Sequence, residues 1–332
     1  MLTNPLPPYL APPLAFAITW LTIHWLLRSG LSNLAMDDPN HRSLHTTAVP
    51  RTGGIALMIG VLAGWSLWLP SWLWLPLGLS VALAAVSFAD DLFDLSAGWR
   101  FLAHVLAATV LVAANLGHFP LWLGVPAVLV VVWMTNLYNF MDGSDGLAGG
   151  MALFGFGAYG VAAWLSNDTA FAWASWVIAA AAVGFLLFNF HPARIFMGDA
   201  GSVPLGFLAA AFGLIGWQRG LWPWWFAPLT FSPFVMDAGV TLFKRILRRE
   251  KIWQAHREHY YQRLVRMGLG HRVTALLEYA LMAAAGGSAL WGMGRGALMQ
   301  AVLLLVWSVG YFVAMRLIDI EWAKFSQLST KL

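Results

Sequence analysis

Cysteine is absent from the sequence, which excludes disulfide bonds, thiolate catalysis and cysteine-ligated zinc sites. Charge is also scarce: charged residues make up 10% of the 332 residues, whereas a soluble domain carries roughly 25%. No lysine or arginine precedes Arg28, so the first apolar run lacks the basic start of a cleaved signal peptide and is predicted to be retained. Because 60% of the residues are hydrophobic, the chain is predicted to lie in a bilayer.

Long apolar runs follow one another along almost the whole chain, each close to the 20 or so residues that cross a bilayer as a helix. The runs lack the alternation of barrel strands, and an open sheet cannot satisfy its backbone groups in lipid. The sequence therefore predicts an all-α, polytopic membrane protein that forms one domain over residues 1–332. The expected spans, about eleven with ten as the alternative, are 8–27, 53–69, 72–89, 101–116, 121–137, 147–165, 170–188, 201–217, 222–243, 273–292 and 297–315.

The basic residues predict the orientation of these spans. With a periplasmic N-terminus and a cytoplasmic C-terminus, only Arg219 and Arg295 of the 19 lysines and arginines fall outside, as the positive-inside rule requires. Of the 15 acidic residues, only Asp168 falls in an outer connection, so we expect the chemistry on the cytoplasmic face. This asymmetry accounts for the net charge of +4, and no nucleic-acid partner is inferred. The basic loop at 244–272 is expected to contact anionic membrane lipids.

Two acidic segments predict a site for a metal ion or a phosphate. Asp90 and Asp91 close the third span and are followed by Asp94, and adjacent carboxylates beside hydrocarbon are costly without a metal ion or a cationic partner. A helix end paired with Arg100 is the alternative. Asp199 lies between glycines just before a predicted helix start, where backbone amides attract phosphate and a carboxylate can help to hold Mg²⁺.

Other polar segments predict contacts to an anionic, amide-bearing substrate. Asn139, Asp142 and Asp145 recur every three residues, and asparagine can both donate to and accept from a nucleobase or a sugar amide. The first inner loop carries Arg42, His45 and Arg51, whose donors suit phosphate oxygens, although an ordinary basic loop would look similar. The glycine pair at 53–54 allows a ligand to approach the backbone closely.

The last inner loop brings histidines into the pattern. His256 and His259 are three residues apart, so both imidazoles can face one ligand. Zinc binding is an alternative, but the usual His-Glu-x-x-His pattern is missing.

In this order, the five segments resemble the polyprenyl-phosphate N-acetylhexosamine-1-phosphate transferases, and most closely the branch that initiates O-antigen. The resemblance extends from about Asp37 to Arg263. It implies transfer of N-acetylhexosamine 1-phosphate from a UDP-sugar to undecaprenyl phosphate, giving undecaprenyl-pyrophosphoryl-sugar and UMP. It also implies Mg²⁺, with Mn²⁺ as the alternative, and a role in lipopolysaccharide or other cell-wall polysaccharide synthesis at the bacterial inner membrane.

The resemblance also assigns a role to each matching position. The implied catalytic residues are Asp90, Asp91 and Asp199, with Asp199 and Asp91 as metal ligands. Phe196 is suited to stack on uracil. The implied substrate-binding residues are Arg42, His45, Arg51, Asn139, Asp142, Asp145, Asn189, Arg194, Phe196, His256, His259 and Arg263. One departure is that the family's His-x-His-His is replaced by His259-Tyr260-Tyr261-Gln262, which lacks the later imidazoles.

Two other functions stay open at this point. A CDP-alcohol phosphatidyltransferase is one, because the segment from Asp142 to Gly146 opens like that family's signature, although Gly149 and Gly150 stand where it needs Ala-Arg. A membrane transporter is the other, although its ionisable residues should lie near the bilayer midplane. The sequence does not reveal the sugar, the pathway, whether a homodimer forms, or whether attack is direct or passes through an aspartyl-phosphate.

Overall fold

The computed structural model describes residues 7–39, 44, 47–68, 70–93, 95–116, 120–251 and 256–329. Within these ranges the chain is almost entirely helical, and the predicted all-α fold is confirmed. The helices are α1 (Ala11–Ser29), α2 (Gly53–Ser66), α3 (Trp74–Phe93), α4 (Ala97–Leu116), α5 (Leu121–Phe140), α6 (Leu147–Leu165), α7 (Thr169–Asn189), α8 (Asp199–Gln218), α9 (Phe226–Thr230), α10 (Ser232–Leu247), α11 (Tyr260–Leu264), α12 (Gly270–Met293) and α13 (Ala297–Ser329).

Short elements complete the described chain. Two strands, β1 (Met36–Asp37) and β2 (Val49–Pro50), pair in antiparallel fashion with Asp37 opposite Val49. A π-helical turn at Val265–Leu269 joins α11 to α12. Three 3₁₀ turns precede α1, follow it and precede α3, at Pro8–Leu10, Leu31–Leu34 and Ser71–Leu73.

Nine helical segments of the described chain are long and apolar enough to cross a membrane, which confirms a polytopic membrane protein. The expected span at 53–69 is the shorter apolar helix α2. The expected span at 222–243 is divided into α9 and α10, and Pro233, near the start of α10, favours a helix start there because proline has no amide hydrogen to donate. The number of crossings and their orientation stay predictions.

Several helix boundaries differ from those expected. Helix α4 begins at Ala97, so Arg100 lies in its first turn and not in a loop. Helix α8 begins at Asp199 itself, because Gly198 before it adopts a φ of 69°, outside the helical region. The predicted basic loop at 244–272 is partly helical, since it contains the end of α10, all of α11 and the start of α12.

The core is built around α6, α7 and α8, which are mostly buried. Helix α7 packs against α1 and α6, and α8 packs against α3 and α5. Gly54 at the start of α2 meets Gly201 at the start of α8, where a Cβ on Gly54 would lie 2.4 Å from the Cα of Gly201. The glycine pair predicted to admit a ligand therefore admits the backbone of α8 instead. This contact brings the first inner loop against the Asp199 segment.

We expect Gly54→Ala to lower the Tm of the detergent-solubilised protein. The added methyl group would overpack this contact, and overpacking costs about 1–3 kcal/mol. Gly287→Ala in α12 is the matched control, because nothing lies within 4 Å of its Cβ position and alanine favours a helix. The control should hold or raise the Tm in the same thermal melt, and equal Tm values for the two variants would contradict the close contact.

Candidate active site

The three expected catalytic carboxylates lie together at one end of the bundle. Asp90 and Asp91 are in the last turn of α3, and Asp199 opens the neighbouring α8. Arg100 places its Nη1 2.7 Å from Asp90 Oδ2 and 3.6 Å from Asp199 Oδ2. Arg51 Nη2 lies 3.3 Å from Asp91 Oδ1. Two guanidinium groups thus face three carboxylates, which leaves the cluster with a net negative charge.

The donor set of this cluster fits a hard divalent cation. The side chains of Asp91 and Asp199 are 5% and 27% exposed, so one is sheltered and the other faces solvent. Among the described residues, no three His, Asp or Glu side chains form a complete metal-binding group. Mg²⁺ typically uses only one or two carboxylates and takes its other ligands from phosphate oxygens and water. A cation here would therefore depend on a phosphorylated substrate for part of its coordination.

Asp142 links the loop after α5 to the start of α8. The amide of Gly198 donates to Asp142 Oδ2 at 3.2 Å. Burial raises the pKa of Asp142 to about 7, with the nearby negative charge of Asp199 acting in the same direction and the Gly198 amide opposing it. Asp142 and Asp199 therefore belong to one electrostatic cluster. A cation between them would favour the ionised form of both.

The raised pKa of Asp142 predicts a pH-dependent stability. An aspartate ionises near pH 4 in the unfolded chain, whereas folded Asp142 keeps its proton until about pH 7, so the unfolded state gains and the stability of the protein falls as the pH rises from about 4 to about 7. Asp142→Asn removes this ionisation and should raise the metal-free Tm more at pH 8 than at pH 5. Asp38→Asn, an exposed acid, is the control and should show no such trend. A parallel pH trend in the two variants would contradict the assignment.

Asp145 and Asn189 hold the loop after α5 against the loop after α7. Asp145 Oδ2 lies 2.6 Å from His191 Nδ1 and accepts the amide of Ala193 at 3.2 Å. Asn189 Oδ1 accepts the amide of Gly146 at 3.0 Å, and its Nδ2 donates to the Ile195 carbonyl at 2.9 Å. Both side chains therefore fix the shape of these two loops, 141–146 and 190–198, which together are called the active-site wall. Their contacts with a substrate stay predictions.

The remaining predicted positions around this wall are spread more widely. Asn139 is half-buried, and its carbonyl accepts the Asp142 amide at 3.1 Å. Phe196 is half-buried, and its amide donates to the carbonyl of Pro50 at 2.7 Å. Arg194 lies with its guanidinium 4.8 Å from the centre of the Phe188 ring. Arg42, His45 and Asp94 lie outside the described residues.

His271, at the start of α12, is a polar residue in contact with this wall that the sequence did not single out. Its Nδ1 lies 2.8 Å from Ser144 Oγ, and its Nε2 lies 3.3 Å from the carbonyl of Leu44. Its ring stacks on that of His191, with centroids 5.7 Å apart. His271 therefore ties the first inner loop to the loop after α5. Only its place in an inner connection could have drawn attention to it.

The inner loop that carries His256 and His259, called the histidine loop, is anchored by Asp237. The sequence did not assign a role to Asp237 either. Asp237, in α10, is 4% exposed. Its Oδ1 lies 3.0 Å from His259 Nδ1 and accepts the amide of Tyr260 at 2.9 Å, while its Oδ2 accepts the amide of Tyr261 at 2.9 Å. The start of α11 is therefore fixed by one buried carboxylate. The sequence signal for Asp237 was its place as a lone acid inside an apolar run, because an ionisable residue in such a run needs a partner.

The other residues of the histidine loop that were predicted to contact substrate also have partners within the protein. The rings of His256 and His259 lie 4.8 Å apart, as their spacing predicted. Burial lowers the pKa of His256 to about 4, with the nearby His259 acting in the same direction, so this imidazole is neutral at pH 7. Arg263 is buried, and its Nη1 lies 2.9 Å from Oδ1 of Asp319 in α13. Its predicted contact with substrate would have to share this guanidinium with Asp319.

Comparison with known proteins gives the family. A family model described as glycosyl transferase family 4 matches residues 73–216. A probable undecaprenyl-phosphate N-acetylglucosaminyl 1-phosphate transferase of Bacillus subtilis is 30% identical over 292 residues, covering 80% of this chain and 81% of that protein. The chain belongs to glycosyl transferase family 4. The family membership predicted from the five segments is therefore confirmed.

Two further bacterial relatives in this family cover similar lengths. The undecaprenyl-phosphate alpha-N-acetylglucosaminyl 1-phosphate transferase of Yersinia pestis is 29% identical, over 76% of each chain. The decaprenyl-phosphate N-acetylglucosaminephosphotransferase of Mycobacterium leprae is 28% identical, over 73% of this chain and 72% of that protein. The region matched by the family 4 model contains Asp90, Asp91, Asp142 and Asp199. The histidine loop and Asp237 lie beyond it.

For this family 4 chain, we expect Asp237→Asn to lower the Tm by about 5 °C. The amide cannot reproduce both charged acceptors, and lost hydrogen bonds to a buried charged group cost about 1.5–3 kcal/mol. Glu321→Gln is the control, since this exposed acid pairs only with exposed Lys324 among the contacts described. Thermal melts in one detergent measure both, and an Asp237→Asn Tm equal to that of the control would contradict the anchoring role.

Proposed function

We propose that the protein transfers an N-acetylhexosamine 1-phosphate from a UDP-sugar to a polyprenyl phosphate and releases UMP. The names of its relatives support the acceptor and the transferred group. The observation that carries the proposal is the convergence of Asp90, Asp91 and Asp199 from two helices beside Arg51 and Arg100. Such a cluster suits a reaction between two phosphorylated substrates, where positioning and charge neutralisation are the main tasks.

The transfer is a displacement at phosphorus. An oxygen of the lipid phosphate forms a bond to the β-phosphorus of the UDP-sugar, while the bond from that phosphorus to the oxygen bridging the α-phosphate breaks. UMP leaves with that oxygen. The second pKa of a phosphate monoester is near 6, so at pH 7 the acceptor is largely a dianion and needs no strong base.

The residues of the cluster then have distinct tasks. Asp91 and Asp199 would hold Mg²⁺, with Mn²⁺ as the alternative, and the metal would supply charge neutralisation for the pyrophosphate. Asp90, held 2.7 Å from Arg100, orients the attacking phosphate or accepts its residual proton. Arg51 and Arg100 now face carboxylates, and they can turn their remaining donors to phosphate oxygens as substrates enter.

We also propose a location and a pathway. Arg51 and Arg100 pair with the carboxylates, and Lys244 and Arg245 lie in the last turn of α10, so the positive-inside rule favours a cytoplasmic site in a bacterial inner membrane. UDP-N-acetylglucosamine is the first donor to test, because the relatives named above carry N-acetylglucosamine in their names. We further propose the first membrane step of a surface polysaccharide, such as O-antigen.

Product analysis with purified protein tests the proposal. In nanodiscs, UDP-N-acetylhexosamines with undecaprenyl phosphate and Mg²⁺ should yield UMP and a lipid pyrophosphoryl-sugar. Undecaprenol, which lacks the phosphate, should yield neither. Release of UDP would contradict the proposed reaction, and so would steady release of UMP at the same rate with and without undecaprenyl phosphate. Exchange of labelled UMP into UDP-sugar without acceptor would indicate the aspartyl-phosphate route over direct attack.

A further inference from the structure

A cavity of about 600 Å³ lies beside the active-site wall, at the end of α7 that leads to Asp199. Leu153 of α6, Tyr279 of α12 and the last two turns of α7 line it. Leu187 in α7 is 57% exposed, so the cavity opens toward the outside of the bundle. Because these helices are long and apolar enough to span a membrane, we expect that side to face lipid.

The cavity has an apolar interior and a cationic mouth. His191 and Arg194 line it where α7 ends. The Arg194 side chain is exposed and rests on the Phe188 ring, and the structure gives it no carboxylate partner among the described residues. His191 uses Nδ1 for Asp145, and within the described chain its Nε2 has no recorded hydrogen bond. The mouth therefore suits an anion, while the mostly apolar interior suits hydrocarbon.

We propose that this cavity binds one anionic glycerophospholipid of the surrounding bilayer. An acyl chain would lie between α7 and α12, and the phosphate would contact Arg194, whose planar guanidinium suits phosphate oxygens. A soluble phosphate is disfavoured because the interior wall is apolar and exposed to lipid. Anionic lipids are also concentrated beside basic protein segments at a membrane surface.

A resident phospholipid fits better than the acceptor lipid of the proposed reaction. Among the described residues, none that line the cavity form an ion pair with Asp90, Asp91 or Asp199. A reacting phosphate has to reach those carboxylates, whereas a bound phospholipid does not. The phospholipid site does not depend on the proposed reaction.

The bound lipid would lie against His191 and Tyr279, two cavity residues that contact residues of the active-site wall. His191 pairs with Asp145, and the Tyr279 hydroxyl donates to the carbonyl of Gly146 at 2.8 Å. Both contacts hold the loop between α5 and α6. Occupancy of the cavity should therefore rigidify this loop and raise the Tm of the protein.

Native mass spectrometry of the full-length protein, released from nanodiscs that contain phosphatidylglycerol and phosphatidylcholine, tests the proposal. The unmodified protein should retain phosphatidylglycerol in preference to phosphatidylcholine. Arg194→Gln should weaken retention by about tenfold, the effect of losing hydrogen bonds to a charged group. Leu187→Trp should place a larger ring at the opening of the cavity, hinder entry of the acyl chain and remove retention. The matched controls are Arg28→Gln and Leu305→Trp, an exposed arginine on α1 and an exposed leucine on α13.

Retention by both controls and loss in both cavity variants would support the site. Equal retention in all four variants, or equal retention of the two phospholipids, would overturn it. Displacement of phosphatidylglycerol by undecaprenyl phosphate but not by undecaprenol would assign the cavity to the acceptor and would also overturn the proposal. Should Arg194→Gln fail to insert, Leu187→Trp and the comparison of the two lipids decide the question.

Discussion

Asp199→Asn is expected to lower kcat by about 10³-fold while the protein remains folded in the membrane. The amide is a poor ligand for Mg²⁺, and the charge that holds the cation against the pyrophosphate is lost. Stability should change little, because Asp199 is partly exposed and a single acid in the first turn of a helix contributes about 0.3–1 kcal/mol. Initial rates of UMP release across a range of Mg²⁺ concentrations measure the effect.

Asp168→Asn is the matched control for this variant. Asp168 is also at the start of a helix, where it accepts the amide of Phe171 at 2.9 Å and pairs with Arg219 at 2.8 Å. It belongs to a connection on the opposite side in the predicted topology, so its loss should leave kcat within a factor of about two. Full activity of Asp199→Asn at low Mg²⁺ would refute the metal assignment even if the control behaves as expected.

Most of the helical spans could be predicted from the sequence because each carries its own signal, although the expected span 53–69 is the shorter α2 and the expected span 222–243 is divided into α9 and α10. In lipid, a run of apolar residues has to satisfy its backbone internally, and this requirement is local. Boundaries were less predictable, since they depend on contacts between helices. Gly198 ends the preceding loop at a position that is packed against the Arg51 carbonyl, and this makes Asp199 the first residue of α8.

Part of the site was predictable for a similar reason. The acids of the inner connections were expected on one face from the distribution of basic residues, and Asp90 and Asp199 do share Arg100. The partner of a given acid was not predictable, because it depends on how the helices pack. Asp237 and His259 are brought together only by the return of the chain after α10. The sequence showed the histidine and gave no reason to join it to that acid.

Asp90 either only neutralises the charge of Arg100 or acts on the attacking phosphate, and a substitution can distinguish the two roles. Asp90→Asn should lower kcat by about 10²-fold or more, because the amide can still accept from Arg100 but cannot orient the attacking phosphate or take its proton as a carboxylate does. In contrast to Asp199→Asn, the rate of Asp90→Asn should depend on the Mg²⁺ concentration much as the rate of the unmodified protein does. Measuring kcat and the Mg²⁺ concentration for half-maximal rate separates the two variants.

A double-mutant cycle with Arg100 decides what Asp90 contributes. If Asp90 serves only to balance Arg100, then Asp90→Asn should cost nothing further once Arg100→Gln has removed the cation, and the double variant should be as fast as Arg100→Gln alone. If Asp90 acts on the acceptor, the double variant should be slower than Arg100→Gln alone, because the carboxylate that orients the attacking phosphate is missing as well. We expect the second result, because the Asp90 side chain keeps 11% of its surface exposed at the open end of the bundle, where a phosphate can reach it. A double variant within about threefold of Arg100→Gln alone would reduce Asp90 to a counter-charge and leave Asp91 and Asp199 as the only carboxylates of this cluster with a part in the reaction.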